Sequence, residues 1–401
     1  MKSLDALMQE LCPDGVEFVK LGEVCNRNKG ISITAAKMKE INKKGAPVRI
    51  FAAGNTKADV EYCDIERKAV ITSPSVIIKS RGNIGFEYYD EPFSHKAEMW
   101  SYSAKDSKKI DIKFLFYYLS SKTDKFQTRA KANAVKLPQL SIGDTDNYEI
   151  PLPPISIQAE IVRILDTFTS LEAELDTELD CRKRQYAYYR DTLLSFEGKE
   201  GVAWKKMSEV FDMRNGYTPS KAKAEYWEGG TIPWFRMEDI RENGRILSDS
   251  IQHITMEGVK KGKLFPANSF ILATTATIGE HALIIADSLA NQRFTNLAVC
   301  KSLSDKLLTK FVFYYMFVVD EWCRKNINVS GFASVDMKKF KILEFPIPSL
   351  EEQRRIVAIL DRFESLTTSL QSGLPAEIAA RRQQYAHYRD KLLTFRRKGA
   401  N

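Results

Sequence analysis

The sequence predicts an α+β protein in which two similar α/β domains alternate with two long helices. A tract with apolar residues at helical spacing occurs twice, each copy follows a stretch of domain size, and those stretches echo each other. At 401 residues the chain exceeds one average domain, and two domains of roughly 150 residues with connecting elements is the expected division. Hydrophobic residues make up 44% and charged residues 28%, which suits globular domains with buried cores and not an extended disordered chain.

The repeat decides the organisation. Ile150-Pro151-Leu152-Pro153, Gln158 and the run Ile161-Val162-Arg163-Ile164-Leu165-Asp166-Thr167-Phe168 return as Phe345-Pro346-Ile347-Pro348, Gln353 and Ile356-Val357-Ala358-Ile359-Leu360-Asp361-Arg362-Phe363. Further on, Gln185-Tyr186-Ala187-Tyr188-Tyr189-Arg190-Asp191 returns as Gln384-Tyr385-Ala386-His387-Tyr388-Arg389-Asp390. Fainter matches link the globular stretches: Lys20–Gly30 with Lys206–Gly216, Ile84-Gly85 with Ile278-Gly279, and Lys113–Tyr118 with Lys310–Tyr315. The expected division is therefore a domain at 1–154, a helix at 155–197, a second domain at 198–348 and a second helix at 349–397.

Each helical tract opens on prolines that cannot continue a helix and so mark a domain exit. Ser156 and Ser349 are the expected N-caps, with Glu160 and Glu351-Glu352 near the first turn, where the helix dipole favours acids. Ile161, Ile164, Phe168, Leu171, Leu175, Leu179, Tyr186, Tyr189, Leu193 and Phe196 recur mostly at spacings of three and four, as does the series Ile356, Ile359, Phe363, Leu366, Leu370, Leu374, Ile378, Tyr385, Tyr388, Leu392 and Phe395. A helix of about 40 residues is roughly 60 Å long, too long to bury against one small domain, so the two copies are expected to pair. The second copy carries four extra residues between its motifs, which add ~6 Å while keeping the apolar face. Gly373 and Pro375 predict a kink or break there. Phe311–Val319 is apolar but closed by Asp320-Glu321, which predicts a buried helix and not a membrane span.

Charge and cysteines bound the function. Sixty Lys+Arg against 52 Asp+Glu give a net charge of +8, which favours a polyanionic partner without naming one. The six cysteines are scattered, none is paired as Cys-x-x-Cys, and the sequence opens without a basic segment followed by an apolar run, so a reduced, cytoplasmic protein is expected. There is no Asn/Asp-Pro-Pro-Tyr/Phe motif, no Gly-rich loop for S-adenosylmethionine and no Walker loop. Asp59 with Glu66-Arg67-Lys68 has the spacing of some nuclease sites, a match that chance supplies freely. His95, His253, His281 and His387 lie far apart in sequence, so no metal is expected.

Taken together, the Pro-rich exits, the Ile-Val-x-Ile-Leu-Asp starts and the closing Gln-Tyr-Ala-x-Tyr-Arg-Asp blocks, each present twice, resemble the specificity subunits of type I restriction-modification systems over the whole chain. The resemblance implies two target-recognition domains and two helices packed as an antiparallel coiled coil with pseudo-twofold symmetry. It implies that the chain binds double-stranded DNA, that two methyltransferase subunits dock on the helices, and that a motor-nuclease subunit completes the restriction complex. No cofactor is then expected on this chain: S-adenosylmethionine and ATP with Mg would belong to the partners, and adenine would be the methylated base. Tyr186, Arg190, Asp191, Tyr385, Arg389 and Asp390 are the expected docking residues, against the alternative that the Arg-Asp pairs are local ion pairs.

Base readout needs donors and acceptors on loops that reach the groove. In the first domain Asn55, Lys57, Lys79, Arg81, Asn83 and Lys96 are the candidates, and in the second Tyr217, Thr218, Lys221, Arg236, Thr275, Thr277, Asn291, Gln292 and Arg293. The two sets differ, Arg81 having no counterpart among Thr274–Gly279, so the domains are expected to read different bases. Two other classes remain open on sequence: a coiled-coil adaptor that binds protein only, and a methyltransferase or nuclease in its own right.

Overall fold

A computed structural model describes residues 4–134, 136–328, 333–368 and 373–399. The chain divides into two compact units, 1–176 with 377–401 and 177–376. The division falls inside the helices: the central helix, Ile155–Leu193, gives its first part to one unit and its last part to the other.

In the first unit a four-stranded antiparallel sheet runs in the order Cys25–Lys29, Trp100–Ala104, Ser75–Lys79, Gly85–Tyr89. A smaller sheet places Val48–Phe51 between Lys57–Val60, antiparallel, and Phe93–His95, parallel. In the second unit Phe211–Asn215, Phe294–Val299, Ser269–Ala273 and His281–Ile284 take the same order, with Ile246–Leu247 added in parallel at the edge. There the smaller sheet places Ile232–Phe235 between His253–Ile254 and, again in parallel, Leu289–Ala290. The duplication read from the faint sequence echoes is thus a duplication of topology. Each domain also pairs its first and last strands, Phe18–Lys20 with Glu149–Pro151 and Ala203–Lys206 with Glu344–Ile347, so the chain enters and leaves side by side.

The Ile-Val-x-Ile-Leu-Asp motif anchors each long helix to its domain. Ile157, Ile161 and Leu165 are fully buried in the first core against Phe114, Leu115 and Tyr118, and Ile356 and Leu360 are buried in the second against Phe311 and Tyr315. The face buried in the domain runs Ile157, Ile161, Leu165 at spacings of four, while Ile164 of the helix-pairing stripe is half-buried. Gln158 is completely buried and makes three bonds: its Oε1 accepts from the Asp111 N–H at 2.9 Å, and its Nε2 donates to the carbonyls of Lys109 at 2.8 Å and Pro153 at 2.7 Å. Gln353 repeats them with Leu308 N–H, Lys306 and Pro348 at 2.8, 2.8 and 2.9 Å. Asp166 then accepts from Tyr117 at 2.6 Å and pairs with Lys113 at 2.8 Å, while Asp361 accepts from Tyr314 and pairs with Lys310 at 3.0 Å. A buried amide with all its groups satisfied fixes a unique docking geometry, since any shift would orphan several polar groups at once.

The closing motifs complete the cores. Phe395 sits edge-on to Phe114 at 6.1 Å in the first unit and Phe196 edge-on to Phe311 at 6.0 Å in the second. Within the first unit Phe168 stacks on Tyr388 at 5.5 Å, and Arg382 reaches Glu172 at 2.6 Å and Asp176 at 3.2 Å. As numbers rise along the central helix they fall along its neighbour, so the helices cross antiparallel there. In the second unit Tyr189 stacks on Phe363 at 5.3 Å.

Two expectations at the helix ends change in detail. The central helix already begins at Ile155, so Ser156 lies inside it and is not the cap, whereas Ser349 does cap, its hydroxyl accepting from the Glu352 N–H at 3.3 Å. The second tract is two helices, Leu350–Thr368 and Leu374–Leu392. Gly373 between them has φ +82°, and a Cβ there would lie 2.7 Å from the Ser365 carbonyl oxygen, which accounts for the glycine at the break. Leu370, the stripe residue of that stretch, lies outside the described residues. Phe311–Val319 falls in the buried helix Thr309–Lys325, and no helix among the described residues is long and apolar enough to cross a membrane.

Candidate nucleic-acid interface

Parallel pairing of the two short strands creates the site in each domain, because parallel neighbours deliver their following loops to the same edge. In the first domain Phe51 pairs with His95, and the loops that follow carry Asn55 and Lys57 on one side and Lys96 on the other. Strand Ser75–Lys79 adds Lys79, Arg81 and Asn83 through a turn at Gly82, φ +76°. Gln127 pins that turn, accepting from the Ile84 N–H at 2.8 Å and donating to the Gly82 carbonyl at 3.2 Å. The Ser80 hydroxyl donates to the Glu98 carbonyl at 2.7 Å and so ties the turn to the Lys96 loop.

The cations here are not all free. Lys57 and Lys79 both reach the Glu87 carboxylate, at 2.5 and 3.0 Å, and Lys79 also donates to Asn55 Oδ1 at 3.4 Å. Burial pushes the Glu87 carboxyl up, but the two lysines outweigh it and hold it below its ordinary value. Lys96 pairs with Glu98 at 2.9 Å. Arg81 and Asn83 are exposed.

In the second domain Phe235 pairs with Ala290, and the loops beyond carry Arg236 and Asn291–Arg293. Thr218, Lys221, Arg236, Asn291, Gln292 and Arg293 line one cleft of about 330 Å³ with Trp234 and Glu238. Thr218 donates to Gln292 Oε1 at 2.5 Å, and the Arg236 guanidinium lies over the Trp234 ring at 5.9 Å with its Nε buried and without a hydrogen-bond acceptor. Thr275 and Thr277 are half-buried on the adjoining turn, which the Thr274 N–H joins to the Arg293 carbonyl at 2.9 Å. Ala276 has φ +63° at the position of Gly82. Six of the nine candidates thus meet in the cleft and two adjoin it.

Tyr217 is the exception. Its hydroxyl accepts from the Lys260 N–H at 2.5 Å and donates to the Gly258 carbonyl at 3.3 Å, and its carbonyl accepts from Trp234 Nε1 at 3.0 Å. It lines a neighbouring pocket of about 180 Å³ with Arg214, Lys260, Lys261 and Lys263. Sequence reading missed those four cations; the signal was the run Lys260-Lys261-Gly262-Lys263, a basic turn with no motif to draw attention to it.

The same glycine holds each site together. A Cβ on Gly30 would lie 2.2 Å from the Lys96 carbonyl oxygen, and one on Gly216 2.2 Å from that of Asn291. Asp59, part of the nuclease-like spacing, pairs with Arg49 at 2.7 Å, a hydrogen bond that lowers its pKa, while Lys68 pairs with Glu66 at 2.9 Å. Asp59 lies on the edge strand of the small sheet and Glu66 on an exposed turn, so the two acids are held apart from one another by local partners. On the helices Arg190 bonds Asp191 at 2.8 Å and covers the rings of Tyr186 and Phe317 at 5.9 and 4.8 Å; Arg389 bonds Asp390 at 2.8 Å and covers Tyr385 at 5.9 Å. Tyr186 and Tyr385 face their own units and Tyr188 is 67% exposed, while Tyr189 and Tyr388 stack on Phe363 and Phe168 and stay partly exposed at their outer edges.

A family model described as the type I restriction modification DNA specificity domain matches this chain twice, over residues 13–180 and 199–380. The chain belongs to this family. The EcoprrI specificity subunit of Escherichia coli is 55% identical over 202 residues, a span of 49% of this chain and 50% of that protein, so the match covers about half the relative's length. The EcoR124I/EcoR124II specificity subunit of Escherichia coli is 38% identical over 304 residues, 72% of each chain. Among solved structures, a chain from a study of complex assembly and conformational transition of the type I R-M system is similar in fold, with TM-score 0.59 and 18% identity over 94% of this chain and 97% of that one. The S subunit from M. genitalium gives 0.51 and 15%, covering 94% and 95%. The specificity-domain matches place one copy of the family's unit on each globular domain with its following helix.

Proposed function

We propose that this chain is the DNA-reading subunit of a type I restriction-modification complex, with each globular domain reading one half of a bipartite target in double-stranded DNA. One observation carries the reading: the same loop cluster is built at the same place on two domains of one topology, yet it presents different side chains. Shared scaffolds with diverged donors suit two half-sites of unlike sequence. Lys79, Arg81 and Asn83 with Asn55, Lys57 and Lys96 serve one half-site. Arg236 and Asn291–Arg293 with Thr218, Lys221, Thr275 and Thr277 serve the other, and Tyr217 supports the loop between.

The chain itself is non-catalytic and acts in the cytoplasm. Two methyltransferase subunits dock on the helices near the Arg190-Asp191 and Arg389-Asp390 motifs, beside the exposed Tyr188, Tyr189 and Tyr388, and motor-nuclease subunits join them. S-adenosylmethionine, and ATP with Mg, belong to those partners. The length of the helices sets the gap between the half-sites. Recovery of the complex from cells, followed by mapping of methylated adenines, tests the reading. A motif of two short blocks separated by a fixed unread gap is expected; methyl transfer by this chain alone, or a complex that carries no methylation, overturns it.

A further inference from the structure

The pocket beside the second-domain cleft differs from the rest of the candidate interface in its charge. Arg214, Lys260, Lys261 and Lys263 line it, and no carboxylate does. Among the described residues none of these four makes an ion pair, whereas Lys57, Lys79 and Lys96 of the first domain are each held by Glu87 or Glu98. Four like charges brought together without a counter-charge repel one another, an arrangement that lowers stability unless an anion arrives.

The turn is also held ready. Arg214 donates to the carbonyls of Lys263 at 3.2 Å and Leu264 at 2.5 Å and lies 4.9 Å over the Phe265 ring, so its guanidinium is committed to fixing the loop. Tyr217 grips the other end through Lys260 N–H and Gly258. Lys261 sits at φ +57°, the left-handed region that disfavours any side chain, and Gly262 follows at φ +63°. The left-handed backbone and the pinned ends fix the direction in which the Lys261 side chain leaves the turn. In chain order the first domain carries Arg67-Lys68 at the equivalent place, between the edge strand and the bridge of Ile71 to Phe93, as Lys260-Lys261 precede that of Phe265 to Ser288. There Lys68 is already paired with Glu66.

We propose that the Lys260–Lys263 turn is a phosphate clamp: it takes the sugar-phosphate backbone of duplex DNA and so positions the adjoining cleft over base edges. Ammonium groups on flexible stems act as point charges towards phosphate, without the planar fork that reads a guanine edge. The cleft begins at Thr218, the residue after Tyr217, so a backbone held in the turn lies beside the bases to be read. This proposal rests on the DNA-reading function above.

The test compares the full chain in its native complex with Lys260→Gln/Lys261→Gln/Lys263→Gln. The probes are a duplex carrying the mapped target and a scrambled duplex of equal length, each titrated over a range of salt. Each lost phosphate contact removes about 0.9 from the slope of log K against log salt. The variant's slope should therefore be shallower by about 2–3 on both duplexes, with the ratio of target to scrambled affinity unchanged. Lys261→Gly removes one charge and relieves the turn, and should flatten the slope by about 1 while raising the unfolding midpoint. Unchanged slopes, or a collapsed ratio at constant slope, overturn the clamp and leave the DNA reading standing. A wild-type complex without preference for its target duplex overturns both.

Discussion

Gly216 lies so close to Asn291 that a Cβ would sit 2.2 Å from the Asn291 carbonyl oxygen, and Gly30 stands in the same relation to Lys96. The contact fixes the first loop of each domain against the loop that follows the parallel strand, and Tyr217 N–H and Ile31 N–H continue it by donating to the Ala290 and His95 carbonyls at 2.9 and 2.8 Å. Gly216→Ala should therefore displace Asn291–Arg293, lowering target affinity at least tenfold and stability by about 1–3 kcal/mol. Binding assays and urea denaturation of the complex check both. A variant that binds and unfolds as wild type would show that the close approach holds nothing.

Gln353 is buried with three bonds satisfied, as is Gln158. Replacing either by Leu keeps the volume and orphans one N–H and two carbonyls, at a cost of about 2–4 kcal/mol. Thermal unfolding should register the loss for both variants, and Gln353→Glu should not restore stability, because a carboxylate cannot donate to the Lys306 and Pro348 carbonyls.

Ala276 adopts φ +63° where the first domain has Gly82. Relief of the left-handed conformation should make Ala276→Gly more stable by about 1 kcal/mol, measurable as a rise of a few degrees in the midpoint. Gly82→Ala should shift stability by a similar amount in the opposite direction.

Glu87 neutralises Lys57 and Lys79 on the first-domain loop edge. Glu87→Gln should free both for phosphate, strengthening binding to target and scrambled duplexes alike and steepening the salt slope by about 1–2. The same freeing should follow in wild type as pH falls. The lysines hold the Glu87 carboxyl below its ordinary value, so their grip is full above that value and is lost as pH drops through the lowered one.

Much of the plan was legible because the repeat is written in residues with fixed structural tasks. Pro153 and Pro348 follow the exit strands, Gln158 and Gln353 clamp the helices to them, and Gly373 breaks the second tract. What spacing could not reveal depends on tertiary context. Which residues of the helix, Leu165 among them, dock on the domain depends on the face the domain covers, and the commitment of Tyr217 to Lys260 and Gly258 needs a contact across the fold. The pairing of Lys57 and Lys79 with Glu87 joins a loop to a strand distant in sequence. The lysines of the Lys260–Lys263 turn were plain in the sequence; that no acid lines their pocket among the described residues was not.

The claim that two separate clusters read two halves of one target is tested most directly by exchanging residues 198–348 for the matching domain of another specificity subunit and mapping methylated bases in cells making the hybrid complex. One block of the motif should change to that of the donor while the other block stays as it was. A motif that changes in both blocks, or in neither, would contradict it.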